Sequence, residues 1–153
     1  MNCRFLRWLV PLLAVVLLET ASYAKQIAVI VDKANTTGNM TVADLAKLLK
    51  FDGRNKWADG RNIVIVVRES SSPEMQTALQ KLYKMQVPEF NALIAAHRGS
   101  VMVVKSEEEL LKTVESLPGA IGFVDVYSIN NKINVLKVDG KLPLEPGYLL
   151  KGN

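Results

Sequence analysis

The stretch PGAIGFV at residues 118–124 decides the fold class, because it places two glycines in an apolar run. Glycine weakens a strand unless its missing side chain lets other groups approach closely. Gly119 and Gly122 therefore indicate a strand in a crowded part of a sheet. Just before it, Ser106 and Glu109 form a capping box, and apolar side chains follow at helical spacing. A helix, a Pro-Gly turn and a buried strand thus form one compact unit, which is typical of an α/β domain.

The rest of the chain alternates in the same way between aliphatic runs and amphipathic segments. Further strands are predicted at residues 26–31, 63–67, 101–104 and 133–138. Further helices are predicted at residues 41–50, 73–85 and 88–98. A polar loop at residues 35–39, a structured loop at 51–62 and an irregular tail complete the prediction. We therefore expect three layers, with a mostly parallel or mixed central sheet flanked by helices.

The first 24 residues have the pattern of an export signal. Arg4 and Arg7 precede an apolar run at residues 9–18, and Ala24 ends a segment of small residues suited to cleavage. The apolar run is about half of the roughly 20 residues that a membrane span requires. We expect a cleaved signal peptide at residues 1–24, a single domain at 25–153, no membrane insertion after cleavage, and a periplasmic or secreted protein. Cys3 precedes the apolar run and so cannot carry a lipoprotein's lipid.

Composition excludes several classes of function. The 19 basic and 15 acidic side chains are interspersed, and no basic stripe with aromatic residues suggests nucleic acid. The single cysteine lies in the signal segment, so the domain has neither a disulfide nor thiol chemistry. His97, the only histidine, has no identifiable nucleophile beside it. We expect no enzyme activity, no cofactor and no metal site.

The junction after the strand at residues 63–67 is the candidate ligand site. The strand leads into Arg68, and Ser70, Ser71 and Ser72 then precede a helix that begins at Pro73. A forked cation, hydroxyl donors and a helix N-terminus together suit an oxyanion. The alternative is that Ser72 only caps the helix and that Arg68 pairs with a surface carboxylate such as Glu69.

The chain resembles one lobe of the phosphate-type periplasmic substrate-binding proteins, the solute receptors of ABC transporters in the PBP-like superfamily. The resemblance covers nearly all of the chain after residue 24 and includes the serine-capped helix. Its other matching segments are IAVIVDKAN at residues 27–35, FDGRNKWADGRNIVIVVR at 51–68, PGAIGFVD at 118–125 and INVLKVDG at 133–140. It implies the fold of one lobe and a small anionic ligand.

In that family an arginine is followed, four residues later, by serine, glycine and threonine, all of which contact the bound phosphate. Arg68 and Ser72 match the first two positions, whereas Pro73 replaces the glycine and Glu74 replaces the threonine. Proline has no N–H to donate, and a carboxylate competes with an anion for the helix dipole. A lone lobe also leaves the anion partly hydrated. We therefore expect only weak binding of phosphate or a similar oxyanion.

Two functions remain open from the sequence. The first is an exported solute-binding module that offers Arg68, Ser70, Ser71 and Ser72 to an oxyanion. The second is a lobe without a small-molecule ligand, which acts as a protein-interaction or sensory accessory module in the envelope. Its partner is then an envelope protein or a second copy of the chain.

Overall fold

The computed structural model describes residues 25–152, so the predicted signal peptide lies outside the described residues. The strands are β1 (Ile27–Asp32), β2 (Asn39–Met40), β3 (Val64–Arg68), β4 (Val101–Val104), β5 (Ala120–Asp125) and β6 (Ile133–Val138). The helices are α1 (Val42–Leu49), α2 (Pro73–Ala78), α3 (Val87–Ala96) and α4 (Glu107–Ser116). A π-helical turn, Leu79–Tyr83, follows α2, and a 3₁₀ turn, Val126–Ser128, follows β5. Within residues 25–152, no helix has the length and apolar character needed to cross a bilayer.

The six strands form one mixed sheet in the order β2-β6-β1-β5-β3-β4. Strand β3 pairs in parallel with β4 and β5, and β2 pairs in parallel with β6. The central strand β1 is antiparallel to both of its neighbours, β5 and β6. The expected α/β fold with a mixed sheet is therefore confirmed.

Helices cover both faces of the sheet, which gives the expected three layers. Strand β1 is buried along its whole length, as its aliphatic run predicts. Its alternate side chains Val29 and Val31 face the core beneath α1, α2 and α3, whereas Ala28 and Ile30 face α4. A strand covered on both sides needs apolar residues at every position, which explains the unbroken run.

Other parts of the chain approach the backbone closely at both glycines of residues 118–124, as predicted. Gly119 has a φ of 86°, and a side chain there would collide with the backbone carbonyl of Asn62. A Cβ at Gly122 would lie 2.9 Å from Leu110 Cδ2, so α4 packs directly on β5 at this point. Gly119 lies in the turn before β5 rather than within the strand. The crowding is confirmed, but only Gly122 belongs to the strand itself.

Two local details differ from the prediction. The helix predicted at residues 73–85 is α-helical only to Ala78 and continues as the π-helical turn, which keeps Leu79, Leu82 and Tyr83 all buried. The polar loop predicted at residues 35–39 ends in β2, a strand of two residues that is too short to leave a sequence signal. Both differences depend on packing between distant segments, which local patterns do not encode.

The irregular C-terminal tail is packed against the start of β1. The Tyr148 hydroxyl donates a hydrogen bond to the Ile27 carbonyl at 2.8 Å, and the Ile27 N–H donates to the Leu150 carbonyl at 3.0 Å. Tyr148 and Leu150 are both buried. The tail thus extends the core next to the residues that precede β1.

Candidate functional site

The sheet topology brings Lys25, Arg68 and Asp125 to one end of the sheet. Strands β3 and β5 are parallel and end at Arg68 and Asp125, whereas β1 is antiparallel and places Ile27 opposite Asp125. Lys25 therefore lies beside the ends of β3 and β5. Helix α2 begins at the same end, because only four residues separate Arg68 from Pro73. We call Lys25, Arg68, Glu74 and Asp125 the charged junction.

Glu74 lies at the centre of the charged junction. Its Oε2 accepts a hydrogen bond from Arg68 Nη1 at 2.9 Å, and its Oε1 lies 2.8 Å from Lys25 Nζ. Lys25 Nζ is also 3.3 Å from Asp125 Oδ2. The Glu74 side chain is only 2% exposed, so its carboxylate is enclosed by the two cations. Two positive and two negative groups leave the junction with no net formal charge.

The environment of Glu74 keeps its carboxylate ionised. Burial raises the pKa of Glu74, but the hydrogen bond from Lys25, its own backbone N–H and the charges of Lys25 and Arg68 together outweigh burial, so the pKa lies below its ordinary value. The hydrogen bond to Glu74 correspondingly raises the pKa of Lys25, although desolvation opposes it. At neutral pH both groups therefore carry their charges.

The three serines have different environments. Ser72 Oγ accepts a hydrogen bond from the Met75 N–H at 3.4 Å, so Ser72 is the N-cap of α2 as predicted. The Ser70 carbonyl accepts a hydrogen bond from the Gln76 side chain, and Ser71 is exposed. The hydroxyls of Ser70 and Ser71 have no hydrogen-bond partner among residues 25–152. The structure thus brings Arg68 and Ser72 to one helix N-terminus and leaves the other two serines beside it.

The alternative that Arg68 pairs with a carboxylate is correct, but the predicted partner is wrong. Arg68 pairs with the buried carboxylate of Glu74, not with Glu69, which is exposed. The sequence also gives no sign of Lys25, whose contact with Glu74 depends on the antiparallel placement of β1.

A cavity of about 240 Å³ opens on the other side of Arg68. Its lining also includes Glu69, Ser70, Phe90, Asn91, Ile94 and Val103. Arg68 Nε is buried and has no hydrogen-bond partner within residues 25–152. The cavity is therefore mainly apolar, and its polar edge contains both a cationic residue, Arg68, and an anionic one, Glu69.

The remaining candidates of the sequence have structural roles. His97 caps α3 and stacks on Phe51 with ring centroids 4.0 Å apart. Trp57 is buried, and its indole N–H donates a hydrogen bond to the Gly119 carbonyl at 2.9 Å. No group of three or more metal-ligand side chains lies together in the part of the chain that the structure describes.

A family model described as a PBP superfamily domain matches residues 19–148. The chain belongs to this superfamily. No curated protein sequence matches the chain.

Several solved phosphate receptors share the fold. An ABC-type phosphate transport receptor from Vibrio cholerae has a TM-score of 0.71 and 19% identity, over 84% of this chain and 54% of the receptor. PstS from Borrelia burgdorferi has a TM-score of 0.68 and 23% identity, over 86% and 56%. A putative phosphate ABC transporter substrate-binding protein with bound phosphate, from Clostridium perfringens, has a TM-score of 0.63 and 17% identity, over 77% and 46%.

This PBP superfamily chain spans about half the length of those receptors. Its fold corresponds to a single lobe of the receptor class, as the resemblance implies. At these identities the likeness shows the fold alone.

Proposed function

We propose that this chain is an exported PBP-type lobe that carries its own carboxylate in the anion position and acts by binding a protein in the cell envelope. The observation that carries the proposal is Glu74, which is enclosed between Arg68 and Lys25 at the start of α2. The proposal includes no catalytic step.

A phosphate ion meets two obstacles at this position. It has to displace a buried, ionised carboxylate from both cations, and the vacated junction still contains the negative charge of Asp125. The helix also offers few free donors, because Pro73 has no N–H and Ser72 already caps Met75. The charged groups that hold phosphate in a receptor are here used within the chain, so solute binding is disfavoured.

The same end of the sheet exposes large apolar side chains. Tyr127 is 81% exposed and Leu144 is 57% exposed. Both lie beside Gln26, because the Val126 N–H donates to the Gln26 carbonyl at 3.1 Å and the Leu144 N–H donates to Gln26 Oε1 at 2.7 Å. We call Gln26, Tyr127 and Leu144 the Gln26 surface. Exposed aromatic and aliphatic groups around a neutral charged cluster favour a protein partner over a small anion.

The location follows from the sequence of the first 24 residues. We propose cleavage after Ala24 and a periplasmic or secreted protein, which agrees with the receptor class that the fold resembles. The partner is then an envelope protein whose surface covers the Gln26 surface in the way that a second lobe covers the first. A second copy of the chain is the competing partner.

Site-specific photo-crosslinking in cells tests the proposal. A photoreactive phenylalanine analogue at Tyr127 is expected to give one discrete adduct, and the same analogue at Lys47, an exposed position on α1, is expected to give none. Leu144→Asp should abolish the Tyr127 adduct without changing the protein level. Equal labelling at both positions, or no adduct at Tyr127, contradicts the proposal. An adduct of twice the chain mass identifies a second copy as the partner.

Weak oxyanion binding at Arg68, Ser70, Ser71 and Ser72 is the second candidate function. It is favoured by the buried Arg68 Nε and by the Ser70 and Ser71 hydroxyls, which have no partner among the described residues. Calorimetric titration of the protein with phosphate and with sulfate tests this function. Binding heat in the millimolar range that Arg68→Ala removes supports it, and the absence of heat rejects it.

A further inference from the structure

The two edges of the sheet differ in how well they are protected. One edge is β2, which has only two residues, and a very short edge strand gives another chain little to pair with. The other edge is β4, with four residues of sequence VMVV. Strand β4 contains no charge and no proline, the residues that usually prevent edge pairing. The edge at β4 is therefore open to a further strand.

The backbone of β4 offers hydrogen-bonding groups on its outer side. The Ile65 N–H donates to the Ser100 carbonyl at 2.8 Å. Because alternate residues of a strand bond to the same neighbour, the backbone N–H and C=O of Met102 also point toward β3, whereas those of Val103 point outward. The edge ends at Lys105, whose N–H donates to the Glu109 carboxylate at 2.9 Å. The open edge is thus short and centred on Val103.

Apolar side chains flank this edge on both faces of the sheet. Val103 is 51% exposed on the face of α3, where it also lines the cavity beside Arg68. Met102 is 43% exposed on the face of α4. A strand added to β4 would cover both side chains, and this burial would add to the new backbone hydrogen bonds.

We propose that β4 pairs in antiparallel orientation with β4 of a second copy about a two-fold axis. Arg98 lies in the exposed turn before β4, and the exposed Glu108 and Glu109 lie in the acidic first turn of α4 after it. The third acidic residue of that turn, Glu107, instead accepts hydrogen bonds from Asp125 and Ser128. Antiparallel pairing brings the basic turn of each copy next to the acidic turn of the other, whereas parallel pairing brings like charges together. Lys105 is the one basic residue on the acidic side of β4, and its charge would repel Arg98 of the other copy.

The charge pattern is what selects a second copy as the partner. One segment carries both the basic and the acidic flank, so a two-fold axis forms the same complementary contact twice. The pairing uses the β4 edge and not the Gln26 surface, so it stands independently of the proposed function.

Sedimentation velocity over a wide range of protein concentration tests the pairing, with the purified protein expressed from its full-length sequence. Wild type is expected to show a reversible monomer–dimer equilibrium. Val103→Lys should raise the dissociation constant about tenfold or more, because it places two like charges near the axis. A Tyr127→Lys control at the Gln26 surface should leave the equilibrium unchanged.

A charge-reversal cycle tests the orientation of the two copies. Arg98→Glu and Glu108→Arg are each expected to weaken the dimer, and the double variant is expected to restore it. Glu108 is suitable because its exposed pair with Lys112 contributes little to folding. A monomer at every concentration, or a dimer that Val103→Lys leaves unchanged, overturns the proposal. A Val103→Lys effect without rescue in the double variant overturns the antiparallel arrangement.

Discussion

Arg68 and Glu74 form an ion pair 2.9 Å long around the start of α2, and the carboxylate in this pair is 2% exposed. The pair joins the end of β3 to the first turn of the next helix. In the phosphate receptors that the chain resembles, the corresponding arginine is expected to contact the ligand. In this chain the arginine contacts a side chain of the same molecule. Arg68 and Glu74 thus form an internal structural contact between β3 and α2.

Replacing Glu74 by glutamine should create a functional anion site. Glu74→Gln removes the internal counterion of Arg68 and Lys25, so the charged junction gains one positive charge. We expect phosphate affinity to rise about tenfold or more over wild type, since a tenfold change needs only about 1.4 kcal/mol. Isothermal titration at low salt measures this change.

The matched control for this experiment is Glu69→Gln, which removes one negative charge from an exposed position next to Arg68. It should leave phosphate binding nearly unchanged, because the exposed charge is screened by water and salt. If Glu74→Gln folds normally and binds phosphate no better than wild type, Glu74 does not block the anion position.

Stability should decrease in acid partly because of Glu74. Its pKa in the folded protein is below the ordinary value of 4.5, so its contribution to stability is present above that value and is lost as the pH falls through the lower, folded pKa. Denaturant titrations between about pH 7 and about pH 3 should show this loss, and the loss should be smaller in Glu74→Gln. Identical pH profiles in the two proteins would contradict the role of the ion pairs.

The raised pKa of Lys25 predicts a loss of stability at alkaline pH. The contribution of Lys25 is fully present below its ordinary value of 10.5 and is lost as the pH rises through the higher, folded pKa. Lys25→Met should therefore flatten the alkaline end of the stability profile, as measured by denaturant titration.

Gly119 should tolerate substitution much less well than a glycine of the same conformation in open space. Gly119→Ala is expected to lower the free energy of unfolding by about 3 kcal/mol or more. Alanine is strained at this positive φ, and its Cβ would also collide with the Asn62 carbonyl. Gly60 has a φ of 87° and no atom within 4 Å of an added Cβ, so Gly60→Ala should cost about 1 kcal/mol. Urea unfolding of the two variants measures the difference, and equal costs would exclude the steric contribution.

Asp32 should be important for stability because its carboxylate fixes the turn before β5. Its Oδ2 accepts from the Gly119 N–H at 3.0 Å, and its Oδ1 accepts from Arg61 Nη1 at 2.9 Å. Asp32→Asn places an amide N–H₂ opposite either the Gly119 N–H or the Arg61 guanidinium. We expect this change to lower the free energy of unfolding by about 2–4 kcal/mol. Asp59→Asn removes the other, exposed partner of Arg61 and should have a much smaller effect. Thermal unfolding of both variants compares the two positions, and a similar loss in each would contradict the role of Asp32.

Much of the fold could be predicted because its signals are local. The caps at Ser72 and Ser106, together with the aliphatic runs of the strands, depend on residues within one turn or one strand. The bounds of β4 and β6 match the prediction, and those of β1 and β3 differ by one residue at each end. The π-helical turn could not be predicted, since it depends on which side chains the neighbouring helices leave room for.

The sequence by itself determined the fold class and the helix starts to within one residue, because capping and periodicity are properties of neighbouring residues. It also showed that Glu74 stands where the receptor family has a neutral residue. Only the tertiary structure decided what Glu74 does there. The antiparallel placement of β1 brings Lys25 to the end of β3, and packing of α2 turns the carboxylate inward between two cations. Such contacts join residues far apart in the chain, so their geometry is fixed only when the whole sheet has formed.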